Sequence, residues 1–370
     1  MSYLRYYKRE KITLQCRTVT PMFLGNAHQE AELRSAPFKA LFRYWWRVTQ
    51  HGLSADDLRK REGEIFGIAG EDDGSGKSLF SIAAIGKGRS FAVSDPFPRV
   101  ETVNHPELNN NFQDMNPLLY LAGIGLVRPK GENLSIKHSY FLAGTGFDLE
   151  VSFPQNKILE MEKILALVKA FGTIGGRSRN GWGSFQVLSI ESKPATKERF
   201  ENMQKLSNLL EKQTRQWIDG LQNDFPNCLG QDSSGPLLWK TDPKGIWPEA
   251  MRELADAYIG VRARTVGNIP KLDPDRKDSP SERHLLGFPL QNHPANRARN
   301  WGNSGRHASP LRFVVHQING KFQGFILHLP HRHSDEMPFP NGIDQEQVWE
   351  KVHRKLDAIL KRATYPEVLA

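Results

Sequence analysis

Between Phe171 and Phe185 the chain reads Phe-Gly-Thr-Ile-Gly-Gly-Arg-Ser-Arg-Asn-Gly-Trp-Gly-Ser-Phe, so five glycines, two arginines and a tryptophan fall in one connection. Glycines reach positive φ and admit a ligand close to the main chain. Successive N–H groups in such turns form anion-binding concavities, which guanidinium groups reinforce. An indole in the same loop suits a nucleobase as well as a phosphate. The same composition also makes a plain helix C-cap and turn, so other segments have to decide between an anion cradle and a capping loop.

Other candidate chemistry is sparse. Gly74-Ser75-Gly76-Lys77-Ser78 suggests a P-loop, but the first glycine of a Walker A motif would fall on Glu71, and Leu79-Phe80-Ser81-Ile82 alternates like a strand where a helix should open. The 12 histidines are scattered and form no HExxH or similar pair, which gives no metal site. His331-Arg332-His333 is the densest group and reads as a surface loop ending a hairpin. His28, in the loop after the first strand, is where a ribonuclease would place a general base. Asp72, Asp73 and Asp114 are acids that nothing in the spacing brings together. Arg306 and His307, in Gly305-Arg306-His307-Ala308-Ser309-Pro310, are placed to meet phosphate ahead of a strand whose edge Pro310 begins.

These residues need elements to position them. Lys11 to Val19 alternates as a first strand, ended by Thr20-Pro21. Ser35 is the expected N-cap of a helix with Pro37 in its first turn and Phe38, Leu41, Phe42, Trp45 and Val48 as the buried stripe. Its other side carries Lys39, Arg43, Trp46, Arg47 and Gln50. No acid lies on this helix to balance the three cations, which makes the face unusually basic. A short helix near Ala55 to Ile65 and hairpin-like runs from Leu79 to Val93 follow, then a polar loop from about Val103 to Asn116. Tyr140 to Phe153 is a half-buried strand with Phe147, Leu149, Val151 and Phe153 on one face. A helix through Ile158, Met161, Ile164, Leu165, Val168 and Phe171 delivers the chain into the glycine loop, and Ser184 to Ile190 is the closing strand. Strand, helix, hairpin, strand, helix, strand is compatible with a βαββαβ ferredoxin-like unit carrying insertions, whose open sheet face is free for RNA or a partner.

Glu191 to Lys197 reads as a linker, after which the pattern begins again. One long helix is expected from Lys197 to Leu221 and another from Pro248 to Val261. Val266 to Glu282 and Gln291 to Ser304 look like long functional loops. Leu311 to Ile318, Asn319-Gly320 and Lys321 to Leu329 form the clearest hairpin, since Asn-Gly supplies the type I′ turn. A last helix covers about Gln345 to Ala363.

A chain of 370 residues suits two domains, and the absence of a long apolar run excludes a membrane span. The polar, basic N-terminus lacks a secretory h-region, so a cytoplasmic location is expected. Two cysteines, Cys16 and Cys228, in no CxxC pattern, argue against a disulfide framework or zinc site. A net charge of +9 favours polyanionic partners.

Four segments together resemble one family. They are Thr18 to Gly25 followed by Ala31 to Arg47, Gly144-Thr145-Gly146-Phe147, the glycine loop from Gly172 to Gly183, and Leu285 to Leu290 with Arg306 to Leu311. In this order they are similar to the RAMP superfamily, and within it to the first-numbered subunit family of the Cmr module of type III-B CRISPR systems; the loop from Gln291 to Ser304 departs from that pattern. The resemblance implies an α+β chain of two tandem ferredoxin-like (RRM-like) domains with insertions, spanning 1–192 and 193–370. It further implies a non-catalytic RNA-binding and assembly subunit, without cofactor or metal, at the filament end near the crRNA 3′ region, where it helps capture target RNA beside other RAMP subunits. Carried over by position, its RNA-binding residues are Lys39, Arg43 and Arg47, Arg177 and Arg179, Arg306 and His307, with Trp46 and Trp182 as stacking candidates. The alternative is a RAMP endoribonuclease that processes CRISPR RNA with His28 as general base.

Overall fold

Strand β1 (Arg9–Thr18) buries every second side chain, among them Ile12, Leu14 and Cys16. The computed structural model describes residues 8–68, 76–87, 92–95, 97–108, 114–130, 133–273, 280–288, 306–334 and 343–370. Asp72, Asp73, Gly74, Ser75, Gly305, the loop from Gln291 to Ser304, and stretches 109–113 and 274–279 of the two other predicted loops lie outside the described residues.

Helix α1 (Ser35–Val48) buries all five residues of its predicted stripe. Its start differs from expectation. Arg34 is the N-cap, without a side-chain cap, and the Ser35 hydroxyl instead accepts the Ala84 N–H at 3.0 Å, joining the helix to strand β2 (Ser81–Gly86). Helix α2 (Ala55–Phe66) is capped by Ser54, whose side chain accepts the Asp57 N–H. Among the described residues the hairpin expected after it does not form. Strand β2 pairs with the distant β3 (Gly146–Pro154), which sets Ile82 opposite Val151, while Ala92–Val93 pairs with Tyr140–Phe141. Burial of a shared apolar face decides this register, over closeness in sequence. Helix α3 (Pro117–Leu126), capped by Asn116, lies in the insertion before β3. Helix α4 (Ile158–Phe171) then leads through the glycine loop to strand β4 (Phe185–Glu191).

The first sheet is antiparallel with order β4-β1-β3-β2, and α1 and α4 pack into the core beneath it. Its outward positions are Arg9, Lys11, Thr13, Gln15 and Arg17 on β1 and Asp148, Glu150 and Ser152 on β3. No aromatic stands among them. Lys11 pairs with Glu150 and Lys87 with Asp148, each at 2.9 Å, while Arg9 and Arg17 bond Ser152 and Gln317, so the open face expected to meet RNA is neutralised in part and has no stacking platform at these positions.

The single helix expected from Lys197 to Leu221 is broken into helices α5 (Pro194–Glu201) and α6 (Met203–Lys212), a strand Thr214–Gln216 and one turn at Trp217–Gly220. Asn202 leaves the helical region at φ −69°, ψ 102°, and its side chain accepts the Lys205 N–H at 2.9 Å to restart the helix. The break lets Arg199 and Lys205 both reach the carboxylate of Glu162, which is wholly buried on α4.

Strand β5 (Leu238–Lys240), helix α7 (Trp247–Ala263), the hairpin β6 (Leu311–Ile318) and β7 (Lys321–His328), helix α8 (Gln345–Ile359) and strand β8 (Lys361–Arg362) build the second sheet, with order β6-β7-β5-β8. Asn319 (φ 50°) and Gly320 (φ 78°) give the hairpin its predicted type I′ turn. The last helix stops at Ile359, short of Ala363, because Arg362 turns into the sheet, where its guanidinium bonds Asp232 and Asp357 and lies 4.5 Å from the Trp239 ring centre.

Both faces of this sheet are covered. Leu311, Phe313 and Val315 join the core with α7 and α8, whereas Val314, Phe325 and Leu327 join the core with α1, α4, α6 and helix α9 (Tyr365–Leu369). The fold is therefore α+β, and its hydrophobic cores run across the sequence boundary at residue 192. Among the described residues no helix is long and apolar enough to cross a membrane.

Several histidines are buried in these cores. His353 Nε2 lies 2.9 Å from His328 Nδ1, His328 stacks on Trp349, and His316 Nε2 donates to the Ala170 carbonyl at 2.9 Å. Burial pushes His353 down to about 3, helped by Arg362, and His316 down to about 4. The native state thus refuses protons that the unfolded chain accepts below its ordinary histidine value of about 6.5. Stability should be full above about pH 6.5 and fall steadily toward pH 4; a urea midpoint that stays flat over that interval would contradict the assignment of these histidines as neutral.

Candidate nucleic-acid interface

The glycine loop leaves the C-terminus of α4 and folds back on the segment after β1. Gly176 N–H donates to the Phe23 carbonyl at 2.8 Å and Gly183 N–H to the Pro21 carbonyl at 2.9 Å, while Ile174 N–H bonds the Gly183 carbonyl across the loop at 3.0 Å. Thr20 Oγ1 donates to the Gly181 carbonyl and accepts the Ser184 N–H. These contacts explain two of the glycines. A Cβ at Gly175 would stand 2.5 Å from the Phe23 carbonyl oxygen, and one at Gly183 would stand 1.9 Å from that of Ile174; both residues have positive φ. Much of the main chain expected to cradle phosphate is thus spent on docking the loop.

Strand β6 closes the other side. Phe313 N–H donates to the Arg179 carbonyl at 2.8 Å, Val315 N–H to Ser184 Oγ at 3.0 Å, and an Arg312 Nη to Thr173 Oγ1 at 3.0 Å. Asn180 Nδ2 ties the tip to the Leu121 carbonyl on α3 at 2.8 Å. Arg177, at φ 56°, is exposed, and Arg179 is half-buried; neither meets a carboxylate among the described residues.

The candidates on α1 have a different setting. Arg43 and Arg47 converge on Glu62 of α2, with Arg43 Nε at 2.7 Å and Arg47 Nη2 at 2.8 Å from its carboxylate. Burial alone would raise the Glu62 carboxyl, but hydrogen bonds from Arg43 and then Arg47 hold it below the usual range. The acid missing from α1 is supplied by the next helix, so this face is less basic than its own sequence implies. Lys39 keeps no ion pair among the described residues, and burial followed by repulsion from Arg43 lowers its pKa.

Trp46 and Trp182 are 1% and 0% exposed, so both are core residues here and neither presents a face to a base. Trp46 packs edge-on against Phe66, and Trp182 lies among Phe23, Phe97 and Trp247. Their large apolar rings gain more from burial than a polar loop offers.

Arg306 is exposed, and its neighbour His307 is turned inward, with Nε2 at 3.2 Å from the Leu285 carbonyl. His331 and His333 are also buried, contrary to the surface loop expected of them, and the His307 ring centre lies 4.3 Å from that of His333. Burial, then His333 and His331, push His307 down to about 3, with Arg179 adding to the repulsion. The structure thus brings Arg179 and His307 together at one seam, and holds Arg43 and Arg47 apart on the Glu62 side of α1.

His28 is exposed in the turn at 26–30, held only by its backbone N–H to Asn26 Oδ1, and no base or orienting group meets its imidazole among the described residues. Sequence reasoning missed Arg312, which is 6% exposed and whose guanidinium carbon lies 4.7 and 5.0 Å from the ring centres of Tyr44 and Trp45. Its signal was present: Arg312 and His316 share one face of an otherwise apolar strand.

An α+β fold with a glycine loop whose guanidinium groups meet no carboxylate among the described residues defines a class. Residues 15–186, which include that loop, match the family model of the RAMP superfamily. More particularly, the chain is similar to CRISPR system Cmr subunit Cmr1-1 of Pyrococcus furiosus, at 23% identity over 332 residues and 86% of each chain. Solved structures with likeness include the apo crystal structure of Cmr1 from Pyrococcus furiosus, with a TM-score of 0.49 at 17% identity, covering 96% of this chain and 98% of that one. A chain of the cryo-EM structure of Type III-B Cmr-beta bound to cognate target RNA matches with a TM-score of 0.48 at 12% identity, covering 94% of this chain and 100% of that one.

Two substitutions test the local account. Gly183→Ala should cost more than about 2 kcal/mol in urea unfolding, since it adds a backbone clash to a positive φ. Glu62→Gln should cost roughly 1–2 kcal/mol, a value tempered by the partial exposure of both arginines, and a variant as stable as wild type would show that the ion pairs add nothing.

Proposed function

We propose that this chain is a non-catalytic RNA-binding and assembly subunit of a type III-B CRISPR effector complex, working in the cytoplasm at the filament end near the crRNA 3′ region. In this reading it helps capture target RNA beside other RAMP subunits. The observation that carries it is the charge contrast within the molecule. Arg43, Arg47, Lys11 and Lys87 are matched by carboxylates, whereas Arg177 and Arg179 on the loop and Arg306 beside the seam meet none among the described residues. Unmatched guanidinium groups on a braced loop suit a phosphate backbone, which positions RNA without specifying its sequence. The likeness to a Cmr subunit supports the setting, and the matched RAMP region supports the class.

Two ferredoxin-like units, 1–192 and 193–370, are part of the same reading. In support, counting strands along each half, the first sheet runs fourth-first-third-second and the second sheet has the same order read from its other edge, with helix after the first strand (two helices in the first half, one in the second) and one α-helix after the third in both. Binding should weaken in parallel when Arg177, Arg179 and Arg306 are changed to Glu, while the thermal midpoint stays near wild type. Fluorescence anisotropy with an unstructured oligoribonucleotide at two salt concentrations measures this, and unchanged affinity would remove the site.

A further inference from the structure

Arg312 is a buried cation that meets no carboxylate among the described residues. It is 6% exposed, and its contacts are the hydrogen bond to Thr173 Oγ1, the side chain of Tyr44 and the rings of Tyr44 and Trp45; its Nε has no hydrogen-bond partner among the described residues. Arg179, whose carbonyl accepts the N–H of the adjacent Phe313, is a second cation close by; burial pulls the Arg312 pKa down, with Arg179 adding repulsion against the support of Tyr44. Burying an uncompensated charge is strongly unfavourable, and an apolar residue would fill the space between two aromatic rings and Thr173 at less cost. The cation is held by two ring faces and a hydroxyl, and it meets no carboxylate among the described residues. A phosphate above the glycine loop would gain from it directly.

We propose that Arg312 is a positioning residue for the RNA site: it holds Thr173 at the root of the glycine loop and supplies, from beneath, positive potential that strengthens the grip of Arg179 on phosphate without itself touching the ligand. This rests on the RNA-binding reading. The second half of the chain thereby takes part in binding through a strand that is otherwise core.

Full-length wild type, Arg312→Met, Arg312→Lys and Arg179→Ala are compared for urea stability and for affinity toward a labelled oligouridine across a salt series. Arg312→Met is expected to be at least as stable as wild type yet to bind roughly tenfold more weakly at low salt, as loss of a nearby charge in a poorly hydrated seam implies. Its slope of log affinity against log salt should be unchanged, whereas Arg179→Ala should lose about 0.7 of slope, one phosphate contact. Arg312→Lys, which keeps the charge and guards against misfolding of the methionine variant, should stay within about threefold of wild type. Wild-type affinity in Arg312→Met, or a slope loss equal to that of Arg179→Ala, overturns the assignment. So does equal loss of stability and affinity in the Met and Lys variants, which marks a packing role. Inorganic sulfate separates the two readings, since it should raise the thermal midpoint of wild type more than that of Arg312→Met even if no RNA binds; equal protection overturns the inference by itself.

Discussion

The contact between strand β6 and the glycine loop is the constraint around which the molecule is arranged. Strand side chains alternate between faces, so one segment serves two tasks. Leu311, Phe313 and Val315 enter the core under α7 and α8, while Arg312 and His316 turn the other way, to Thr173 and to the Ala170 carbonyl at the end of α4. The strand's own N–H groups at Phe313 and Val315 bond the loop from the side. Loop, first sheet and second sheet are thus held by one ladder, and a change in any of them is felt by the others.

This arrangement also explains where binding chemistry can reside. A βαββαβ sheet ordinarily has one free face, yet here two of the cations on the first sheet's outer face are paired with carboxylates and the second sheet is covered on both sides. The seam offers a different support. There the loop carries its arginines on a backbone already satisfied by Pro21, Phe23 and strand β6, so the side chains are presented by a support that has little freedom to retreat. Pre-organised donors of this kind bind an anion without a large ordering cost.

Burial governs the distribution of titratable groups as well. His307, His331 and His333 meet at the seam, and His328 with His353 sits deep in the second half. His307, His331, His328 and His353 are held neutral by the same cause, loss of water. The seam therefore owes its charge near neutral pH to arginine, which cannot release its proton under such pressure, rather than to histidine, which does.

Local sequence was enough wherever pattern and pairing are local. Phe38 to Val48 marked α1, the alternation from Phe147 to Phe153 marked β3, and Asn319-Gly320 marked the hairpin, because periods of 3.6 and 2 and the type I′ turn are properties of neighbouring residues. The glycine loop and its two arginines were equally legible. Tertiary structure decided the rest. Strand β5 is too short to show a period, Asn202 chose capping over helix continuation, and β2 found β3 across an insertion. Whether a charge is available was also a three-dimensional matter. Glu62 neutralises Arg43 and Arg47 from another helix, Trp46 and Trp182 are claimed by the core, and Arg312 is buried beneath a loop well over a hundred residues earlier in the chain. Residue type and spacing determine which groups can do chemistry; only packing, which brings distant partners together and removes water, determines which of them remain free to do it.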